Sequence, residues 1–300
     1  MFEVRVPATT ANLGPGFDSF GMAFQRYNTF TFEERDNGKL TIRGVKRQYQ
    51  GKSNMVYQAM IKLFEAAKYI PKGLYIHCDS QIPFSRGLGS SASCILAGLV
   101  GANAICDYPF DDQDIYDMAV EIEGHPDNIT PAMFGGLTVA FSDNGDNHFI
   151  KKNPHSDFYF CALVPNFGLS TKLARKVLPS KVTRKDAIFN VSRATMTYLA
   201  LIEGDVTLLQ ASMEDKIHQP YRKDLIDGYD AIRTHALASG ALNICLSGAG
   251  PTLLAITHKD SHHAFISKME TYLNDNYPAW GVHPLVPDTE GVVINEIYGE

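Results

Sequence analysis

An α+β fold in two domains is what the sequence predicts, and three observations carry that expectation. At roughly 100–200 residues per domain, 300 residues make two domains the first expectation. Alternating apolar patterns that suit strands and 3.6-residue patterns that suit helices are mixed in both halves rather than segregated. A polar, turn-rich stretch, DNGDNHFIKKNPHS, interrupts them near the middle and sets a boundary near residue 153, giving domains over 1–153 and 154–300.

The elements follow in order. FEVRV alternates, and residues 24–33 are aromatic and β-branched with Asn37-Gly38 after them as a hairpin turn, so residues 1–50 begin in sheet. Residues 54–69 change period. Met55, Ala59, Leu63 and Ala67 line one stripe, and Val56, Met60 and Phe64 widen it into the apolar face of an amphipathic helix. A strand is expected over 74–82 and a small-residue helix over 90–106. A second helix over 111–124 carries acidic residues in its first turn, where the helix dipole favours them. Strands at 135–141 and 157–165 flank the polar stretch. Helical patterns then cover 185–202 and 224–239, an apolar strand pair surrounds SGAGPT over 242–257, a helix covers 261–274, and a strand over 292–298 closes the chain. No repeat of fixed period is visible.

Composition narrows the function. A hydrophobic fraction of 45% and a charged fraction of 20% allow a sizeable core and exclude disorder. Lys and Arg number 27 against 33 Asp and Glu, and a net charge of −6 does not suit neutralising a phosphate backbone, so no nucleic-acid partner is expected. The longest apolar run, 95–106, is broken by two glycines and Asn103 and is too short for a bilayer, so no membrane partner is expected either. MFEVRVPATT lacks the apolar region of a secretory signal. Five scattered cysteines without a CxxC fit reduced core thiols in the cytoplasm.

Three glycine-rich loops point to chemistry. Residues 83–92, PFSRGLGSSA, lie between a strand and a helix, where glycines let backbone amides approach an anion and the helix start favours one. Ser90 and Ser91 can cap that helix, and a hydroxyl there reaches a magnesium ion held by phosphates; a plain tight turn is the alternative. Gly87, Gly89 and Ala92 also satisfy G-x-G-x-x-A with Asp107 twenty residues after Gly87. A dinucleotide fold, however, needs glycines directly after the strand and an acid ending a second strand. Here four residues intervene and Asp107 leads into another helix, so that reading fails. The common P-loop pattern is absent. SGAGPT (247–252) separates two apolar runs and by itself reads equally as a hairpin turn. NLGPGFD (12–18) sets two polar side chains on a rigid turn of the kind that often holds binding residues.

The run Glu121, Glu123, Gly124, His125, Pro126, Asp127, Asn128 ends a helix. Its carboxylates could serve a metal and Asp127 or Asn128 could meet a hydroxyl; a solvated helix end capped by glycine and proline is the plainer alternative. His125 lacks a second His or Cys at ligand spacing, which argues against zinc. Without G-x-S-x-G a hydrolase triad has no support.

PATTANLGPGFDSFGMAF (7–24), PFSRGLGSSAS (83–93), EGHPDNITPAMFGG (123–136) and SGAGPT together resemble the motifs of the GHMP small-molecule kinases. The first and third blocks are most similar to the branch that phosphorylates homoserine, and STKLARKVLP (170–179) and HQPYRKDLI (218–226) agree with it. The resemblance implies an amino-terminal domain of the ribosomal-protein-S5-like domain 2 type, a ferredoxin-like carboxy-terminal domain, and an active site between them. It implies ATP and Mg²⁺ as cofactors, L-homoserine as substrate and a place in threonine biosynthesis, and it allows a homodimer. Ile82, Pro83, Phe84, Ser85, Arg86, Gly87, Leu88, Gly89, Ser90, Ser91 and Ala92 would line the triphosphate, with Asn54 near the base. Ser91 and Glu123 would hold magnesium, with Glu121 in reserve for Glu123. Asn12, Asp18, His125, Thr171, Arg175 and Arg222 would surround the substrate, and Asp127 and Asn128 would act at its hydroxyl, one as a base or the other as an orienting group.

The chemistry fits. Homoserine is a zwitterion whose ammonium needs a carboxylate, here Asp18, and whose carboxylate needs cations that grip two oxygens, here Arg175 and Arg222. On sequence alone Arg175, in KLARK, reads as a solvated charge. Phosphoryl transfer rests on positioning and charge stabilisation, so a strong base is not required. The alternatives are a mevalonate- or sugar-type kinase of the same family, whose substrates lack an α-ammonium, and a non-catalytic ATP and amino-acid sensor, which intact loop serines and Asp127-Asn128 disfavour.

Overall fold

A computed structural model describes residues 1–297. The chain opens with β1 (Phe2–Ala11), β2 (Phe20–Glu34), β3 (Leu40–Arg43), α1 (Met55–Ala66) and β4 (Leu74–Ser80). Helices α2 (Ser90–Ile105), α3 (Asp112–Glu123) and α4 (Pro126–Phe134) follow, then the strands β5 (Leu137–Asp143), β6 (Asp146–Lys152) and β7 (Phe158–Pro165). Next come α5 (Thr171–Lys176), α6 (Arg184–Glu203), α7 (Val206–Ser212), α8 (Gln219–Arg222) and α9 (Tyr229–Ala238). The chain closes with β8 (Ala241–Leu246), β9 (Leu253–His258), α10 (His262–Asn276), β10 (Trp280–Leu285) and β11 (Val293–Glu296).

Two sheets result. The first has seven strands in the order β11-β1-β2-β4-β3, with β5 on the start of β2 and β6 on β5. The second has four antiparallel strands in the order β10-β7-β9-β8. Numbered within that half the order is 4-1-3-2 in a β-α-β-β-α-β path, which is the ferredoxin-like arrangement. The fold class is therefore α+β as expected.

The helices form where local chemistry starts and stops them. Asn54 caps α1 by accepting the N–H groups of Val56 and Tyr57, and the stripe Val56, Ala59, Met60, Leu63, Phe64 is buried in the core of the first half, chiefly against α2. A capping box between Asp111 and Asp114 starts α3, and Gly124 in the left-handed region ends it. A third apolar cluster joins the halves. Phe20, Met22 and Phe24 of β2 pack with Phe158, Phe160, Leu254 and Ile256 of the second sheet, Phe24 and Phe160 lying 5.7 Å apart.

Several expectations change. Asn37-Gly38 does turn the chain, with Gly38 at φ +65, but it makes no hairpin. β4 pairs with β2 along 28–34 and takes the edge that β3 would need, so β3 lies parallel to β4 instead. The polar stretch contains a strand, β6, folded back on β5 through Asn144-Gly145. As a mostly exposed edge strand it needs little apolar content and so left no alternating signal. The helix expected over 224–239 begins only at Tyr229. The short helix α4, the helices α5, α7 and α8, and strand β10 had no clear periodicity. The chain leaves the first sheet at Lys152 and enters the second at Phe158. The last strand, however, returns to the first sheet against β1, so 293–296 does not belong with the second half as the boundaries 154–300 implied. This pairing covers an edge of β1 that would otherwise offer unpaired backbone groups. Tyr298, the expected end of that strand, lies outside the described residues.

Candidate active site

A cleft of about 370 Å³ lies between the halves, and most of the predicted site residues line it. From the first half come Asn12, Asp18, Asn54, Phe84 to Ser91, Glu123, His125, Asp127 and Asn128; from the second come Thr171, Arg175, Arg222 and residues 248–250. Ile82, Pro83 and Ala92 do not. Ile82 packs with Ala8 and Leu88, and Ala92 is fully buried in the main core, so these two support the loop rather than face the cleft.

The glycine loop runs into the first turn of α2, which borders the cleft and whose first N–H groups have no partner within the helix. Gly89 is the N-cap residue with φ +71, and a Cβ there would lie 1.9 Å from Thr9 Oγ1. Gly87, at φ +72, would meet Ser247 O at 2.1 Å. Both glycines are demanded by protein packing as well as by approach to a ligand, so a side chain at 89 strains the fold itself. Ser90 Oγ is buried with no hydrogen-bond partner among the described residues. Arg86 borders the cleft, but Nε donates to Pro165 O at 2.9 Å, Nη1 to Phe84 O at 2.9 Å, and Nη2 to Asn166 O. Its guanidinium ties the loop to the end of β7. Ser247 adds a second tie, donating to Gly87 O.

Asn54 borders the cleft too, yet its amide is engaged, the oxygen capping α1 and the nitrogen donating to Tyr49 O at 2.9 Å. Sequence reasoning missed the apolar end of the cleft around it: Phe30, Val45, Tyr49, Met55, Cys78 and Cys94. Tyr49 and Phe84 stack there at 6.3 Å. These side chains come from β2, α1, β4, α2 and the turn after β3, and share no motif. Cys78 and Cys94 are buried thiols as expected, but they also border the cleft, and burial pushes their pKa values up to about 11 and about 12.

The third block opens a helix instead of only closing one. Gly124 ends α3, His125 is the N-cap of α4 and Pro126 its first residue, which sets Asp127 and Asn128 in the first turn. Asp127 Oδ1 is 2.7 Å from His125 Nδ1 and accepts from Asn128 Nδ2 at 3.2 Å. Thr9 donates to Asn128 Oδ1 at 2.9 Å, which turns the amide nitrogen toward Asp127. Desolvation would lower the His125 pKa, but the hydrogen bond and charge of Asp127, with Glu123, outweigh it and raise it overall. Glu123 Oε2 accepts from Ser91 Oγ at 2.7 Å, and burial, partly offset by that bond, raises its pKa. Glu121 instead points outward to Lys62 at 2.7 Å and does not line the cleft.

The charged end differs from the expected clamp. Arg175 holds Asp18 in a bidentate pair, at 3.0 and 2.8 Å, and that bond keeps the Arg175 pKa up. Arg222 is almost wholly buried. Its Nε donates to Ala174 O and its Nη1 to Gly248 O, both at 3.2 Å. Burial first, and the like charge of Arg175 second, pull its pKa down to about 10. Asn12 joins the two glycine loops, donating to Gly248 O at 2.8 Å and accepting the Asp18 N–H at 2.9 Å.

A helix-start glycine loop and an Asp-Asn-His cluster, both from the first half, line one cleft closed by cations of the second half, an arrangement that suits a small-molecule phosphotransferase. The family models of the GHMP kinase N-terminal domain and C-terminal domain match residues 54–136 and 198–275. Homoserine kinases from Clostridium botulinum, strains Eklund 17B and ATCC 19397, are 44% and 42% identical over 98% of this chain and 98% and 99% of their own lengths. The crystal structure of homoserine kinase from Cytophaga hutchinsonii is 26% identical, with a TM-score of 0.87 over 98% of this chain and 97% of that one. Leishmania major mevalonate kinase, at 17% identity and a TM-score of 0.71 over 94% of this chain and 95% of that one, shares the fold. The chain belongs to the GHMP kinase family and, within it, to the homoserine kinases. Among the described residues no helix is long and apolar enough to cross a membrane.

Proposed function

We propose that the cleft transfers the γ-phosphoryl group of ATP to the side-chain hydroxyl of L-homoserine, giving O-phospho-L-homoserine for threonine biosynthesis in the cytoplasm. The observation that carries this reading is one carboxylate and two guanidinium groups, Asp18 with Arg175 and Arg222, beside Asp127 and Asn128 in one cleft. A zwitterion with a nearby hydroxyl matches that set; a neutral sugar or a hydroxy acid does not.

The amides of the glycine loop, the start of α2 and the unpartnered Ser90 hydroxyl suit the triphosphate. Phe84, Tyr49 and their apolar neighbours suit the base. Ser91 and Glu123 bring two hard oxygen donors together at 2.7 Å, a donor set that fits Mg²⁺. When bound, the ion would neutralise phosphate charge. Asp18 takes the substrate ammonium, and Arg175 and Arg222 take its carboxylate, with Thr171 nearby. The Asp18–Arg175 pair is about one-third exposed on each side, so opening it costs only about 0–1 kcal/mol. The substrate's own two charges then replace it.

Asn128, its amide set by Thr9, orients the hydroxyl, and Asp127 accepts its proton. As the new O–P bond forms, the bond from Pγ to the departing ADP breaks and the proton passes through Asp127 to solvent. His125 and Asn128 hold the Asp127 carboxylate in place, and a strong base is not required because the hydroxyl proton becomes acidic late in a loose transition state. A coupled ADP-release assay tests the reading. Purified protein with ATP and magnesium should turn over L-homoserine, and mevalonate and galactose far more slowly. Equal or faster turnover of either competitor rejects the substrate.

A further inference from the structure

His218 stands four residues before Arg222 and is fully buried. Its ring makes two hydrogen bonds with opposite requirements. Nε2 lies 2.7 Å from the backbone carbonyl of Gly14, and a carbonyl only accepts, so Nε2 carries the proton. Nδ1 lies 3.3 Å from Arg222 Nη1, and a guanidinium only donates, so Nδ1 is bare. His218 is therefore the neutral Nε2–H tautomer. Burial, with the Arg222 charge in the same direction and Asp215 against it, holds its pKa below the usual histidine value.

The surroundings leave the ring little freedom. It stacks on Phe17 at 5.2 Å, and the same Phe17 ring lies 5.2 Å from the Arg222 guanidinium and 5.8 Å from that of Arg175. Asp215 accepts the backbone N–H groups of His218 at 2.9 Å and Gln219 at 2.6 Å. It also accepts from Asn190 Nδ2 at 2.7 Å, and that same nitrogen donates to Pro15 O at 3.2 Å. Gly14 and Pro15 belong to the loop that ends at Asp18. One buried ring thus bonds the loop bearing the anion on one side and the deeper cation on the other.

We propose that His218 is a positioning residue that fixes the spacing between the Asp18 loop and Arg222, and so tunes the cleft to a substrate carrying ammonium and carboxylate on one carbon. The proposal rests on the reading of the cleft as an L-homoserine site. In an α-amino acid the two charges are held at one short separation by a shared carbon, so a site that reads both must hold its own charges at a matching one. The first-loop backbone and the Arg222 side chain come from different halves, and His218 is the side chain bonded to both.

Steady-state kinetics on the full chain, with each substrate varied in turn, test the assignment. His218→Leu removes both bonds. It should raise the KM for L-homoserine about 10- to 100-fold, the scale of a lost hydrogen bond to a charged group, while the KM for ATP stays within about twofold. His218→Asn keeps an acceptor near the Nδ1 position but loses the bond to Gly14, and His218→Gln keeps a donor near Nε2 but no acceptor for Arg222. Each retains one half of the bridge and should recover only part of the L-homoserine KM. A merely structural role would raise both KM values together or neither. An unchanged L-homoserine KM in the folded leucine variant, equal rises for both substrates, or full recovery by either the asparagine or the glutamine variant would each overturn the proposal. If the leucine variant does not fold, the other two decide: each should raise the L-homoserine KM while the KM for ATP stays within about twofold. Wild-type turnover is the control: its absence with L-homoserine overturns the substrate reading and this one with it, whereas normal wild-type turnover with unaltered variants overturns this one alone.

Discussion

The proposed phosphate end of the cleft is made largely by one stretch of chain, Phe84 to Ser91, whereas the proposed amino-acid end gathers residues from five places: 12–18, 125–128, 171–175, Arg222 and 248–250. The first end depends on local backbone geometry, two glycines at positive φ followed by a helix start. The second depends on the two halves being held in register, since Asp18 and Arg222 reach the same cavity from different sheets' surroundings. The contrast is not complete. The phosphate loop is itself tied to the second half through Arg86 and Ser247, so the halves share one rigid frame while presenting two kinds of site.

That division predicts which substrate each substitution disturbs. The largest effect is expected at Arg222. In Arg222→Met a substrate carboxylate is left buried without its partner, typically costing about 2–5 kcal/mol, or roughly a 30-fold to several-thousand-fold fall in kcat/KM for L-homoserine. The KM for ATP should hold. Steady-state kinetics with both substrates would break the comparison if the two parameters fell together.

A smaller and more selective effect is expected at the seam between the ends. Glu123→Gln should raise the magnesium concentration for half-maximal rate roughly tenfold, about 1.4 kcal/mol, because it removes a charged oxygen from the Ser91–Glu123 pair. Glu121→Gln, whose carboxylate faces Lys62 on the outside, should leave the magnesium dependence unchanged. Rate measured across a magnesium titration separates the two, and the reverse result would move the metal to Glu121.

The smallest effect sharpens the phosphate end. Phe84→Ala removes one ring of the half-exposed Tyr49–Phe84 stack and should raise the KM for ATP about two- to tenfold, the scale of 0.5–1.5 kcal/mol for an aromatic pair. The KM for L-homoserine should not move. A change confined to L-homoserine would place the base elsewhere.

How much of this was legible in sequence follows the same division. The stripe of α1 is readable because it buries one face at the helical period, and α2 and the strand pair around SGAGPT because they are continuous small-residue or apolar runs buried on nearly every side. β6 was not, because an exposed edge strand needs no apolar alternation, and neither was the return of β11 to β1, because pairing across the whole chain leaves no local trace. Within the site the glycine loop was legible from its residues alone. Arg175 read as a surface charge until the family motifs were weighed, since nothing in KLARK distinguishes a half-buried guanidinium from a solvated one.

By itself the sequence determined the class of fold, the order of most elements, the net negative charge and a glycine-rich loop between a strand and a helix, because these depend on composition, periodicity and residues that are neighbours along the chain. Tertiary structure decided which carboxylate faces the cleft, turning Glu123 inward to Ser91 and Glu121 outward to Lys62 although they stand two residues apart. It also decided that Arg86 ties the loop to the second half, that Asn54 caps a helix, and that Asp18 and Arg175 hold each other. The reason is physical: a hydrogen bond or ion pair is set by the distance and direction between two groups, and for residues 157 positions apart, as with Asp18 and Arg175, only the packed core sets them.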